Sequence, residues 1–315
     1  MSIMKRLTSR TVLIVYDAKY SGWVLEGVAN DIYKYLPGSR KLLKFSGDHY
    51  FSYVRFYFNY FLKKETIFIN QSTLRRTRLL PLFMKRKLIK IFYTHTNFSI
   101  DPLALKQLKN ASKVVVMNSK ERSKLIEFGL SPDRIFLQPL GIDFEYFRPL
   151  NLLDNNRIAL VSQLHSRKRP DFIYKIIKSL PEIDFILIGK NWTGSKILED
   201  LQKLLNFEYV EFDFTDYNHN LNRARIFLSV SSLEGGPLPL LEAMACGLVP
   251  VVTDTGWASD LIVNHKNGII IPVKANVDVV KNSIKKAYSI DNSLVRESVS
   301  KLTVESFVGI FRSTP

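Results

Sequence analysis

Ser231-Ser232-Leu233-Glu234-Gly235-Gly236-Pro237-Leu238-Pro239-Leu240-Leu241-Glu242-Ala243-Met244-Ala245-Cys246-Gly247 reads as a strand end, a tight turn and a short helix. Gly235 and Gly236 let the backbone approach a ligand closely. Pro239 suits the opening of a helix and Gly247 stands where one stops. The preceding run, Ile226 to Val230, has the composition of a buried strand. Strand, turn and helix in this order is the repeating unit of a parallel α/β sheet. Glu234 is expected in the loop and Glu242 in the helix's first turn. Free N–H groups at a helix start favour an anion. Two carboxylates beside a bare phosphate would repel it, so they suit hydroxyl groups on either side of it. A nucleotide sugar has that layout: sugar hydroxyls, diphosphate, ribose hydroxyls.

The same strand-and-helix alternation extends in both directions. At 315 residues the chain exceeds the ~250 to 300 at which single cores stop growing, so two domains are expected. In the first half, strands are expected at Thr11 to Tyr16, Lys41 to Phe45, Thr66 to Asn70, Ile89 to Thr94 and Lys113 to Met117. Helices between them include Tyr50 to Lys63 and Leu74 to Lys87. Pro139, Gly141 and Pro149 break the alternation, and the segment ending at Asn156 is polar beyond its leucines, which places the linker there. A second series follows, with strands at Arg157 to Ser162, Phe185 to Ile188, Tyr209 to Phe212, Ile226 to Val230, Val249 to Thr253 and Gly268 to Pro272. The expected fold class is α/β, two doubly wound Rossmann-like domains facing each other across a cleft, with residues 1–149 as the first and 150–290 as the second. In such sheets ligands bind beyond the carboxyl ends of the strands.

The run Leu241 to Val252, with Glu234 and Glu242 as an E-x7-E pair, then Gly256 and the turn Asn267-Gly268, resembles the retaining glycosyltransferases of family 4, which have the GT-B fold. The resemblance implies that Glu234 orients the donor sugar and Glu242 holds the ribose. Taken alone, either glutamate can also be read as a helix cap or a surface residue. Ser162 to Asp171 is similar to the family's G-R-L-x-x-x-K-G segment. Lys168 takes the position of the lysine that neutralises the donor diphosphate. Gln163 replaces the usual arginine, a charge that Arg167 or Arg169 restores. Asp213 and Phe214 fall where the family reads the base, Gly189 matches a strand-end glycine, and Gly22 falls in the loop that meets the donor phosphate. His95, in Thr94-His95-Thr96-Asn97, matches a functional histidine. Catalytic candidates are thus Glu234, Lys168 and His95, with Gly235, Gly236 and Leu238 among the donor contacts. Pro237 departs from the commonest pattern and has no N–H to donate. The tail, residues 291–315, resembles the family's last helix, which crosses back to the first domain. Retention at the anomeric carbon is implied, with same-face attack assisted by the leaving phosphate.

No D-x-D motif occurs and Glu211-Phe212-Asp213 lacks neighbouring ligands, so neither a metal nor a cofactor is expected beside the nucleoside-diphosphate sugar, UDP- or GDP-linked. There is no G-x-G-x-x-G fingerprint for a dinucleotide. The single cysteine, Cys246, excludes an internal disulfide framework and suits a reducing compartment. The apolar run Thr11 to Tyr16 meets Asp17 too soon for a signal-peptide core or a membrane span. A cytoplasmic protein is expected.

Charge separates the halves. Residues 1–150 hold 26 Lys and Arg against 11 Asp and Glu, whereas residues 151–315 hold 19 against 18. Between Glu65 and Asp101 there is no acid, yet Arg75, Arg76, Arg78, Lys85, Arg86, Lys87 and Lys90 fall there among leucines. Such a mixture suits an anionic membrane surface, or equally a solvated charged helix face. A glycan or lipid-linked acceptor at the cytoplasmic membrane face is the expected partner. Nucleic acid would explain the charge but not the glutamate pair, and a catalytically silent sugar-nucleotide-binding homologue would share the motifs without turnover.

Overall fold

The computed structural model describes residues 11–21, 24–85, 88–94, 101–150, 152 and 156–312. The chain forms two compact units, Met1–Gly141 with Val304–Pro315, and Ile142–Thr303. In the first unit β1 (Val12–Asp17), β2 (Arg40–Phe45), β3 (Glu65–Ile69), β4 (Leu88–Tyr93), β5 (Lys113–Val116) and β6 (Ile135–Leu137) pair in the order β2-β1-β3-β4-β5-β6, all parallel. Strands β1, β3 and β5 are buried at every residue, as parallel strands covered on both faces must be. The helices are α1 (Val24–Tyr35), α2 (Tyr50–Leu62), α3 (Gln71–Arg76), α4 (Pro81–Met84), α5 (Pro102–Asn110) and α6 (Ser119–Glu127). Asp101 and Asn118 start the last two by accepting from the Ala104 and Glu121 amides at 3.0 and 2.8 Å.

The expected helix from Leu74 to Lys87 is two shorter ones. Arg78 adopts φ 54° and Pro81 forces Leu80 out of the helical region, so α3 stops at Arg76 and α4 starts afresh. Two members of the basic run turn inward there. Arg76 binds the buried Asp17 carboxylate at 2.8 Å, and Lys90 pairs with buried Glu65. Arg86 and Lys87 lie outside the described residues. The short strand β6 carries no apolar run long enough to announce it.

In the second unit β7 (Arg157–Gln163), β8 (Phe185–Lys190), β9 (Phe207–Glu211), β10 (Ala224–Ser229), β11 (Val249–Thr253) and β12 (Ile269–Ile271) pair in the order β12-β11-β10-β7-β8-β9, all parallel. The helices are α7 (Pro170–Lys178), α8 (Lys196–Gln202), α9 (Phe214–Asn222), α10 (Leu238–Ala245), α11 (Ala258–Leu261), α12 (Val277–Ala287) and α13 (Asn292–Val299). The chain runs outward from β7 to β9, crosses to β10 and runs outward again to β12. The reversal between β7 and β10 leaves a crevice at their carboxyl ends, the place where doubly wound sheets hold ligands.

The unit boundaries differ from those expected at 149/150 and 290/291. Residues from Ile142 belong to the second unit because Tyr146 stacks on Phe214 at 4.5 Å and Phe147 packs edge-on against Tyr217 at 5.8 Å. Helix α13 stays there too, since Arg296 donates to the Phe147 carbonyl at 2.9 Å and to that of Ala245. The first unit regains the chain at α14 (Val304–Gly309). Phe307 meets Phe92 edge-on at 5.6 Å, Lys113 donates to the Ile310 carbonyl at 2.8 Å, and Lys90 donates to that of Phe311. Among the described residues no helix is long and apolar enough to cross a membrane.

Candidate active site

The loops after β7 and β10 are tied together at the crevice. The Ser232 amide donates to the Arg167 carbonyl at 2.8 Å, and the Arg167 guanidinium returns to the Leu233 carbonyl at 3.1 Å. Glu234 is thereby held over the one-turn helix Ser166–Lys168. Lys168 Nζ lies 2.5 Å from Glu234 Oε1, and Arg167 pairs with Oε2. Burial pushes the Glu234 carboxyl up, but Lys168, then Arg167, with a hydrogen bond from Ser231, outweigh it and hold the group below the usual carboxylate range. Of the two residues that stood to replace the charge absent at Gln163, Arg167 sits in this cluster. Arg169 is engaged elsewhere: its guanidinium reaches the Val273 carbonyl at 2.8 Å and covers the Phe172 ring.

Gly235 is buried and the loop after β11 presses on it. A Cβ on Gly256, whose φ is +55°, would lie 2.9 Å from the Gly235 carbonyl oxygen, so Gly256 answers both a left-handed backbone and a close approach. At the start of α10, Pro237 and Pro239 carry no N–H and the Leu240 amide turns back to the Pro237 carbonyl at 3.0 Å. Gly236 and Leu238 remain as the amide donors of this helix start, where the helix dipole is positive.

Glu242 sits one position past the first turn of α10, not within it. Its Oε2 accepts from the Tyr217 hydroxyl at 2.7 Å. Burial pushes its carboxyl up to about 7, against the lowering effect of that hydrogen bond. Tyr217 itself is pushed well above its usual range, by burial first and by Glu242 second. Cys246, bonded to Asn218 Oδ1 at 3.2 Å, is pushed up to about 12 by burial, so it packs as a thiol. Tyr217 was not among the sequence candidates. It lies 25 residues from Glu242, and its one sequence signal is an aromatic one turn into the helix that follows Asp213-Phe214.

Asp213 caps α9 by accepting from the Thr215 amide at 2.9 Å, which holds its carboxyl below the ordinary value. The Phe214 ring lies flat against Tyr146 at 4.5 Å, and the Tyr146 hydroxyl donates to the Phe214 carbonyl. Gly189 has a packing role whatever else it does: a Cβ there would stand 2.5 Å from the Ser162 carbonyl oxygen and 2.7 Å from the Trp192 ring. Arg167, Lys168, Gly189, Asp213, Phe214 and Glu234 to Glu242 therefore share the carboxyl edge of one sheet. Gly22 and His95 lie outside the described residues.

Two carboxylates thus flank a helix start that offers amides, and two cations pair with one of them. This set can bind hydroxyls at two places and a polyanion between. Residues 143–300, half of the chain, match the model of the family described as glycosyl transferases group 1. A phosphatidylinositol N-acetylglucosaminyltransferase subunit from Arabidopsis thaliana is 24% identical over 188 residues, 56% of this chain and 41% of that protein. The UDP-Gal:alpha-D-GlcNAc-diphosphoundecaprenol alpha-1,3-galactosyltransferase of Escherichia coli is 22% identical over 222 residues, 64% of this chain and 55% of that protein. The chain spans about half the length of these curated relatives. Alr3699/HepE of Anabaena, solved in complex with UDP and glucose, is 14% identical and matches with a TM-score of 0.74 over 96% of this chain and 98% of its own, which is a likeness of the two-domain GT-B fold. By the family model that covers half its length, the chain belongs to the glycosyl transferases group 1.

Proposed function

We propose that the chain transfers a sugar from a nucleoside diphosphate to an acceptor hydroxyl, with retention, in glycan or glycolipid synthesis. The observation that carries this reading is the Lys168–Glu234–Arg167 cluster at the β7/β10 crevice, with Glu242 beyond the helix start. In the reaction the bond from the anomeric carbon to the phosphate oxygen breaks and one to the acceptor oxygen forms. The acceptor proton passes to the leaving diphosphate. Charge gathers on that diphosphate in the transition state, and Lys168, Arg167 and the Gly236 and Leu238 amides are assigned to it, without a divalent metal. Glu234 orients the sugar, Glu242 holds the ribose, and Asp213 and Phe214 border the base. His95 stays a catalytic candidate by family resemblance, facing donor sugar and acceptor.

UDP is the favoured nucleotide, since it is named in the E. coli relative and bound in the Anabaena protein. The two relatives described above are named for lipid-attached acceptors, which supports a lipid-linked acceptor, met at the cytoplasmic face of an anionic membrane by the basic first unit rather than at a nucleic acid. The deciding experiment is thermal shift with UDP, GDP and their sugars on the wild type and Glu242→Ala, followed by transfer assays with and without EDTA. UDP-sugars should stabilise the wild type and not the variant, and turnover should survive EDTA. Equal stabilisation of both proteins would remove the ribose assignment. Donor binding without hydrolysis or transfer would leave a silent homologue.

A further inference from the structure

Helix α2 is apolar nearly all round, which is the mark of a helix covered on every side, yet only one side of it is covered. Its inner face is fixed by three tyrosines spaced one turn apart. The hydroxyls of Tyr53, Tyr57 and Tyr60 donate to the backbone carbonyls of Arg76, Thr77 and Phe83 at 3.1, 3.0 and 2.9 Å. Those bonds set the rotation of the helix. The opposite arc then presents Phe51, Val54, Phe58, Phe61 and Leu62 to solvent, 83, 49, 65, 58 and 62% exposed. The Phe61 ring meets Phe83 of α4 edge-on at 6.4 Å, and Phe83 and Leu82 are themselves 47 and 70% exposed. The apolar face is therefore continuous across two helices, where single exposed apolar residues are the norm.

Cations outnumber acids around this face, and the acids at its borders, Asp48 and Asp101, pair with Arg76 and Arg75. Between Asp48 and Asp101 the sequence holds ten Lys and Arg and one acid, Glu65, and Glu65 is buried under Lys90. Arg55, Lys64, Arg75, Arg78 and Lys85 are exposed. A second copy of the chain would bring the same excess of positive charge to the contact and be repelled by it. An anionic bilayer complements both features, with phosphates for the cations and an interfacial layer for the aromatic rings.

We propose that the outer face of α2, with α4, inserts into the interfacial layer of an anionic membrane, while Arg55, Arg78 and Lys85 meet the head groups. This deepens the membrane reading above and rests on it, adding apolar insertion to electrostatic attraction. The test uses the whole chain and phosphatidylcholine vesicles with and without phosphatidylglycerol, at low and high salt. Two variants are compared, Phe51→Ala/Phe58→Ala/Leu62→Ala and Arg55→Ala/Arg78→Ala/Lys85→Ala. All six side chains are exposed, so melting temperature and the shift given by UDP serve as controls and should hold. The apolar variant should lose about ten-fold or more in partitioning to anionic vesicles, at high salt as well as low. The charge variant should lose most at low salt. In Phe58→Trp, anionic vesicles should move tryptophan emission to shorter wavelength. An apolar variant that partitions like the wild type would overturn insertion and leave attraction alone. A wild type that ignores vesicles, or forms a dimer that the apolar variant dissolves, would also overturn it. Neither result touches donor binding, which fails only if UDP-sugars give no shift.

Discussion

Lys168 Nζ lies 2.5 Å from Glu234 Oε1, across the junction of two loops that leave adjacent strands, while Arg167 holds the other carboxylate oxygen. The cations assigned to the donor diphosphate are therefore already engaged by the carboxylate assigned to the donor sugar. An arriving diphosphate competes with Glu234 for them, and a carboxylate released from two cations is free to accept from sugar hydroxyls. Glu234→Gln should then keep UDP affinity or tighten it by up to ~10-fold, while transfer falls by ~100-fold or more. Calorimetry with UDP and single-turnover assays read the two separately. Equal losses in both would mean that Glu234 serves to hold the loop.

The two cations should not be equivalent. The Lys168 side chain is 13% exposed against 37% for Arg167, so the lysine acts in a lower dielectric, where the same charge counts for more. Hydrogen bonds to charged groups contribute ~1.5–3 kcal/mol, which sets Lys168→Ala at a loss of roughly 10- to 100-fold in UDP affinity. Arg167→Ala should cost less than ~10-fold, being more screened by solvent. Dissociation constants of the two variants, measured at one ionic strength, decide the order.

The second unit was legible because its signals are local. Strand, glycine turn and helix lie within Ser231 to Gly247, and the Lys168 loop follows directly on β7. What could not be read is contact between residues far apart in the chain. Tyr217 reaches Glu242 from another helix, and Phe147 and Arg296 draw both unit boundaries away from the expected positions. The basic run misled in part for the same reason. Arg76 and Lys90 look like surface charge in sequence, and their acids, Asp17 and Glu65, come from other strands. The covered and uncovered sides of α2 were likewise invisible, since apolar residues occur all round the helix, and the Tyr53, Tyr57 and Tyr60 bonds together with the burial of Phe56 decide which side faces out.

Donor binding should depend on pH through Glu242. A ribose hydroxyl donates to an ionised carboxylate better than to a protonated one, and burial pushes this carboxyl up to about 7. Below that value UDP affinity should weaken, approaching ten-fold per pH unit, and above it the affinity should level off. Stability of the ligand-free protein should run the other way. The folded state holds this proton longer than the unfolded one, so stability falls as pH rises from about 4.5 to about 7. Glu234 has the opposite sign: its carboxyl is depressed, so its contribution is present above about 4.5 and fades as pH falls through the lower folded value. Glu242→Gln should flatten the affinity profile, and Tyr217→Phe, which removes the lowering hydrogen bond, should move its midpoint upward. A wild-type profile without a midpoint near neutrality would remove Glu242 from the ribose.

Lys90 and Glu65 form an ion pair with side chains 5 and 1% exposed, and the same ammonium donates to the Phe311 carbonyl. Two charges out of water are tolerable only together: replacing the pair by apolar residues is often neutral, whereas removing one partner costs ~3–5 kcal/mol. Lys90→Met takes from Glu65 the ammonium paired with its Oε1 and from the tail one lysine contact, while Lys113 keeps its bond to the Ile310 carbonyl at 2.8 Å. The melting midpoint of the first unit should fall sharply and chymotrypsin should cut earlier at Phe307 and Phe311. Lys90→Met/Glu65→Leu should recover much of the melting midpoint, because the buried carboxylate goes together with its ion-pair partner, while the tail stays easier to cleave. If the double variant is no more stable than Lys90→Met, loss of the ion pair is not the cause, and the lysine's contribution would lie in its hold on the Phe311 carbonyl.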